Sequence, residues 1–440
     1  MIRGLLGRGG MGKIFKVEHP HIGKIAALKL LDPDPLTAEL LGPESIRAMF
    51  ESEAATLADL RHPNVVRILD YDEHAGKPFY LMEYYSNSLG RILGETDRPD
   101  TPSRKIRPER AIHYLRQTLS GLDALHHCEI LHRDIKPHNL LVTDEDTVKI
   151  CDFGLSKLRG ESYTGPPSLK IGSPWYAPPE QEENPDRIDV SADLYAGAVT
   201  FYRMLTGVLP AQPPRATARY NSDLNADWDR FIARALDPSP RRRFASAAEM
   251  LAALESLERS WQRQLAATCR LPEENPGRKV LKSGGTPVAL RSHCVKMPPG
   301  PAREFFGTDR LWRPAAYMAN HFEPAGDRMI TDTATGLAWQ RAGSRYPLTW
   351  QQAHVYVERL NQERFCDCGD WRLPTIAELL SLLNQPPRGR DYCLDPVFDS
   401  TQRHLWSCDR RSFIAAWYVS VDLAYVDWQD FSARFHVRAV

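Results

Sequence analysis

Two strings of reactive side chains stand close together in this chain: HRDIKPHN at His132 to Asn139, and DFG at Asp152 to Gly154, 18 residues after Asp134. Far upstream, Gly7, Gly9 and Gly12 make a G-x-G-x-x-G loop. Without side chains such a loop lets backbone N–H groups come close to phosphate oxygens. Alone it is as readily a flexible turn, and a dinucleotide fold would need it to follow a strand and open a helix. Here KIFKVEH and IAALKLL follow, both strand-like. That excludes the dinucleotide reading and puts Lys29 of AALK in a strand, where an isolated lysine is most simply an edge residue with its head in water.

In that order, the glycine loop, Lys29, HRDIKPHN and DFG resemble the protein kinase superfamily, specifically the bacterial eukaryotic-like (Hanks-type) Ser/Thr kinases, over roughly Met1 to Leu257. The resemblance implies ATP and Mg²⁺ as cofactors, protein hydroxyls as acceptors, and a set of roles. Leu6, Gly7, Arg8, Gly9, Gly10, Met11, Gly12, Lys13 and Ile14 would cover the nucleotide. Lys29 would bind its α- and β-phosphates, held by Glu53, nine residues before His62 of the HPN turn. Glu83 and Tyr85 would form the hinge to adenine, with Met82 guarding the back pocket. Asp152 and Asn139 would be metal ligands, since hard cations select oxygen donors. Asp134 would orient the attacking hydroxyl and accept its proton, and Lys136 would neutralise the transferred group. Lys136 and Ser173, which would bridge the catalytic Asp and Lys, point to Ser/Thr acceptors. Arg133 would pair with a phosphorylated loop residue, Thr164 being preferred among Ser162, Tyr163, Thr164 and Ser168. Asp193, and the pair Glu180 and Arg243, would be structural, and His132 and Phe153 would pack beside the site. PPE at Pro178 to Glu180 departs from the family's APE, and the first strand is short. Two polar insertions, Asp32 to Pro43 and Glu95 to Pro108, read as solvated loops.

The elements that must position these residues follow from periodicity. Short strand-type runs, IAALKLL and FYLMEYY, dominate the first 83 residues. From Pro108, Ile112, Leu115, Leu119, Leu122 and Leu125 recur on one helical face, and helical spacing returns at Trp228 to Ala235 and Met250 to Leu257. The expectation is a kinase unit over 1–265, a strand-rich small lobe (1–83) before a helical large lobe (84–265). At 440 residues a further domain is required. Seven of the ten tryptophans lie in the last 129 residues, beyond a Pro/Gly-rich stretch, so 266–301 reads as a linker and 302–440 as a second domain.

That second domain has an α+β pattern: a strand, two helices, then several short strands. TDTATGLAWQ, LTWQQAHVYVERLN, GDWRLPTIAELLSLL, LWSCD and FHVRAV resemble, in that order, the Lcl C-terminal domain family, DWRLPT at Asp370 to Thr375 with Glu378 and Leu379 being the most specific part. The resemblance implies a C-type-lectin-like fold that recognises a ligand or protein partner. Cys366, Cys368, Cys393 and Cys408 lack the C-x-x-C spacing of structural zinc, and free buried thiols are expected over a disulfide or zinc. The tryptophans read mainly as core, with a binding surface as the second reading.

The fold class is therefore multidomain α+β. Lys+Arg and Asp+Glu both number 56, which removes the uniform basic field of a dedicated nucleic-acid binder. No run of about 18 apolar residues predicts a membrane span. The glycine-rich N-terminus is unlike a signal peptide, so a cytoplasmic location and mostly reduced cysteines are expected. Two other readings stay open: a pseudokinase-like nucleotide-binding scaffold, and a variable ligand-display protein.

Overall fold

A computed structural model describes residues 1–8, 12–96, 101–153, 157–158, 175–183, 188–267, 280–281, 287–384 and 393–440. Its contacts divide the chain into two compact units, Met1–Cys269 and Arg270–Val440.

The first unit opens with an antiparallel sheet in the order β1-β2-β3-β5-β4: β1 Ile2–Arg8, β2 Gly12–Glu18, β3 Ile25–Leu31, β4 Ile68–His74 and β5 Lys77–Met82. Gly12 is required by packing, because a Cβ there would stand 2.1 Å from the Leu30 carbonyl oxygen on β3. A helix, Pro43–Asp59, has its apolar stripe buried at Ile46, Phe50, Ala54 and Leu57, and Glu53 is the one charged residue on that buried face. It needs a cation, and β3 supplies one.

The larger part of this unit is helical, as the periodicity predicts. The helix Pro108–His127 starts with proline in its first turn and buries Ile112, Leu115, Leu119, Leu122 and Leu125. The helix Val190–Thr206 is buried from Ser191 to Thr206, with Asp189 capping its start and Gly207, at φ 75°, ending it in the left-handed region. Two short strands, Leu140–Val142 and Val148–Ile150, pair antiparallel and bracket the segment between the two reactive strings. Both insertions depart from the expected solvated loops. The first holds a helix, Pro35–Leu41, with Asp34 accepting from the Thr37 amide at 3.0 Å. In the second, Ser103, Arg104 and Ile106 are buried. Arg104 donates to the carbonyls of Ile92 and Arg91 at 2.8 Å each, satisfying the open end of the helix Leu89–Leu93.

The second unit combines a meander of Phe322–Pro324, Met329–Asp332 and Leu337–Gln340 with helices Trp350–Gln362 and Ile376–Ser381 and a sheet of His404–Arg410, Ala415–Ser420 and Tyr425–Asp430. Trp339, Trp371, Trp406 and Trp417 are buried, so the aromatic richness is chiefly core. The DWRLPT string is structural. Thr375 and Glu378 form a reciprocal capping box at the start of the second helix. Arg372 donates to both oxygens of the buried Glu378, at 2.8 and 2.5 Å.

Two expectations are corrected here. The segment expected as a linker, 266–301, belongs in its last part to the second unit: Met297 N donates to Arg410 O and Arg410 N to Val295 O, both at 2.8 Å. Arg291 forms a bidentate pair with the buried Asp409, at 2.9 and 2.6 Å. This attachment brings Cys294 beside Cys408, and the two form a disulfide across 114 residues of chain. Cys408 is therefore not a free thiol, whereas Cys366, Cys368 and Cys393 are. Reading Cys294 as part of a linker hid its partner. In the chain-entropy description, closing a loop of that length constrains the unfolded chain by about 4–5 kcal/mol. Cys408→Ser is expected to lower the stability of the second unit by about 2–5 kcal/mol, followed as tryptophan fluorescence in urea; an unchanged midpoint with and without reductant would contradict it.

Candidate active site

Lys29 lies in the middle of β3, paired across the ladder with Ile14 on one side and Tyr80 on the other. Its ammonium donates to both oxygens of Glu53, at 2.8 and 3.1 Å, and to Asp152 Oδ1 at 3.3 Å. The Tyr80 hydroxyl donates to Glu53 Oε1 at 2.8 Å, and the Tyr80 ring packs on Phe50 one helical turn before Glu53. The pair is deeply enclosed, with side-chain exposures of 7% for Lys29 and 3% for Glu53. The lysine is thus a buried, fully partnered cation and not an edge residue in water. Tyr80 was not among the expected site residues; its cross-strand register with Lys29 was the only signal.

Electrostatics favour the charged forms of Lys29 and Asp152. Burial works to discharge Lys29, but the Glu53 carboxylate, with Tyr80 and Asp152, overcomes it and raises the ammonium well above its usual value. At Asp152 burial favours the neutral acid, yet Lys29, His132 and Lys136 outweigh it and lower the carboxyl below its usual range. A raised cation stabilises the fold below about pH 10.4 and loses that contribution as pH climbs through its folded value. A lowered acid contributes above about pH 3.9 and loses it as pH falls through its folded value.

The HRDIKPHN string folds into a tight loop. Asp193, from the buried helix Val190–Thr206, accepts the backbone amides of His132 at 2.9 Å and Arg133 at 2.8 Å, and His126 Nε2 lies 2.9 Å from it. Arg133 and Asp152 both adopt positive φ, 67° and 65°, and at Arg133 the bond to Asp193 holds that conformation, which is costly for a non-glycine residue. The loop presents Asp134, whose Oδ2 accepts from Lys136 Nζ at 2.7 Å and from Asn139 Nδ2 at 3.0 Å. Because Asn139 Nδ2 also donates to the Asp134 carbonyl at 2.8 Å, the amide is turned with its nitrogen toward Asp134. The His132 ring packs tilted against Phe153, with centroids 4.9 Å apart, and lies 3.1 Å from the Cys151 carbonyl, a packing role as expected. Glu180 and Arg243 pair, with Nη2 to Oε2 at 2.9 Å.

Other expected residues are placed less centrally. Gly7 pairs with Ile14 at the end of the β1–β2 hairpin, and a Cβ on it would meet nothing within 4 Å. Leu6 is exposed. The Lys13 ammonium is committed to Asp32, which Lys77 also reaches at 2.6 Å; with Lys13 first, the two lower Asp32 to about 2. Glu83 Oε2 accepts from Lys149 at 3.1 Å and from the Arg67 amide at 3.2 Å. Burial, then the Glu83 charge, raises the Tyr85 hydroxyl above its usual value. Arg133 is buried. Gly9, Gly10, Met11, Thr164 and Ser173 lie outside the described residues.

Residues 2–260 match the protein kinase domain family. The chain belongs to that family. Residues 328–440 match the Lcl C-terminal domain. The serine/threonine-protein kinase pkn3 of Myxococcus xanthus is 31% identical over 294 residues, covering 61% of this chain and 52% of that protein. PknH of Mycobacterium tuberculosis, also a serine/threonine-protein kinase, is 31% identical over 291 residues, covering 62% and 44%. The crystal structure of the Mycobacterium tuberculosis PknI kinase domain aligns with 25% identity and a TM-score of 0.45, covering 58% of this chain and 95% of that one. This kinase family member spans about half the length of the curated relatives it matches. Its fold is that of a protein kinase, with a strand-rich small lobe and a helical large lobe. No helix among the described residues is long and apolar enough to cross a membrane.

Proposed function

We propose that this protein transfers the γ-phosphate of ATP to serine and threonine hydroxyls of proteins, in the cytoplasm where ATP is abundant. The observation that carries the reading is the gathering of these charged and polar groups into two internally hydrogen-bonded sets, Lys29 with Glu53 and Asp152, and Asp134 with Lys136 and Asn139. Charge positioning of this kind is what phosphoryl transfer requires. Lys29, oriented by Glu53 and Tyr80, holds the α- and β-phosphates. Asp134 orients the acceptor hydroxyl and takes its proton, while Lys136 balances charge on the transferred group. Asp152, half open to solvent and ionised, and the Asn139 amide oxygen, turned from Asp134, are hard donors that suit Mg²⁺. Bound there, the metal would neutralise the phosphate charge. A pseudokinase-like scaffold is disfavoured by the intactness of these groups.

For the second unit we read a C-type-lectin-like module that recognises a ligand or protein partner, with 1–265 acting as the kinase. The support is its α+β arrangement and its match to the Lcl C-terminal domain. Incubation of the full chain with γ-labelled ATP, followed by acid hydrolysis, tests the activity. Label in phosphoserine and phosphothreonine is expected; label in phosphotyrosine alone would reject the specificity.

A further inference from the structure

One buried carboxylate of the kinase unit lies outside the set assigned above. Glu95 follows Gly94, the left-handed residue that ends the helix Leu89–Leu93, and its own amide donates to the Gly90 carbonyl at 2.9 Å. Its side chain is 6% exposed and is shared by three other elements. Arg203, from the buried helix Val190–Thr206, pairs with Oε1 at 2.5 Å and is itself 1% exposed. The Tyr176 hydroxyl also donates to Oε1. His138, in the turn Pro137–Asn139 of the catalytic loop, brings Nδ1 to 3.3 Å from Oε2.

The geometry around His138 is tight on one side and open on the other. A Cβ on Gly90 would fall 2.7 Å from the imidazole, so the ring is laid directly on that glycine. Yet the His138 side chain remains 52% exposed. It is two residues from Lys136 and adjacent to Asn139. Likewise Tyr176 is buried, while its neighbour in the chain, Trp175, is 57% exposed. One carboxylate therefore ties the exposed imidazole on the catalytic loop to Tyr176, the residue next to the exposed Trp175 on the segment that follows the activation stretch. Arg203 offsets the burial cost of that carboxylate, which an unpaired Glu could not meet.

We propose that Glu95 is a positioning residue for the protein acceptor. Through Tyr176 and His138 it sets the spacing between the platform at Trp175 and the hydroxyl-orienting Asp134, and so governs acceptor binding without touching ATP. This rests on the kinase reading above. None of its contacts reaches Lys29, Glu53 or Asp152.

The test uses the full chain as enzyme and the full-length Asp152→Asn chain as acceptor, varying acceptor and ATP separately. Tyr176→Phe removes only the hydroxyl, and His138→Ala removes the imidazole from a half-exposed position, so neither empties the core. Each is expected to raise KM for the acceptor about two- to tenfold, the size of one net hydrogen bond, with KM for ATP unchanged. The double variant should be less than multiplicative, since both act through Glu95. His138→Gln, which keeps a donor toward Oε2, should recover part of the loss. Unchanged acceptor KM in both variants, or equal rises in the acceptor and ATP constants, would overturn the inference while leaving the kinase reading intact. Absence of transfer by the unsubstituted chain would overturn both.

Discussion

Asp134→Asn is expected to reduce phosphate transfer by about 10²–10⁴-fold, the usual contribution of a positioned general base. The substitution keeps shape, and the Asp134 backbone carbonyl still accepts Asn139 Nδ2. What disappears is the proton acceptor and the charge that Lys136 faces at 2.7 Å. Lys29, Glu53 and Asp152 make no hydrogen bond to this side chain, so nucleotide affinity should stay within a few-fold of the parent. Single-turnover rates with bound ATP measure the effect directly. A rate within threefold of the parent would remove Asp134 from the chemistry.

Lys29→Met is expected to act on both activity and folding. Losing a preorganised cation at the phosphates should cost about 10²–10³-fold in rate. On the sequence alone, Lys29 stands at the surface of the nucleotide cleft, where its loss would spare the fold. The structure overturns that. With Lys29 gone, Glu53 is left in the sheet-to-helix interface with the Tyr80 hydroxyl and no cation. Removing one member of a buried ion pair typically costs about 3–5 kcal/mol. Denaturant unfolding should therefore show a destabilised small lobe in Lys29→Met. The double variant Lys29→Met, Glu53→Gln should recover much of the loss, since it removes the stranded charge. Equal stability of Lys29→Met and the parent would show that the pair contributes nothing to folding.

The contrast between these two variants shows what could be read from residues alone. Asp134, Lys136, Asn139 and Asp152 were legible because their chemistry is packed into short strings whose order is distinctive. The apolar stripe of Pro108–His127 and the strand pattern around Lys29 were legible because burial imposes period on the chain. Contacts made across long stretches of sequence were not. Tyr80 meets Glu53 27 residues away, Glu95 meets Arg203 and Tyr176 on separate elements, and Cys294 meets Cys408 over 114 residues. No local pattern marks such partners, because tertiary folding creates them. The same reason explains the second insertion: Arg104 looks like solvated polar sequence until the carbonyls at the end of Leu89–Leu93 are placed around it.

The central claim is that the charged groups gathered around Lys29 and Asp134 perform metal-assisted phosphoryl transfer. The most direct measurement is the time course of γ-phosphate incorporation by the full chain with Mg²⁺, run beside Asp152→Asn. Asp152 contacts Lys29 at 3.3 Å and supplies the carboxylate expected to hold the metal. The account predicts stoichiometric or greater incorporation into serine and threonine by the parent, lost on chelation with EDTA and reduced to background in Asp152→Asn. Equal incorporation by the two proteins would contradict it.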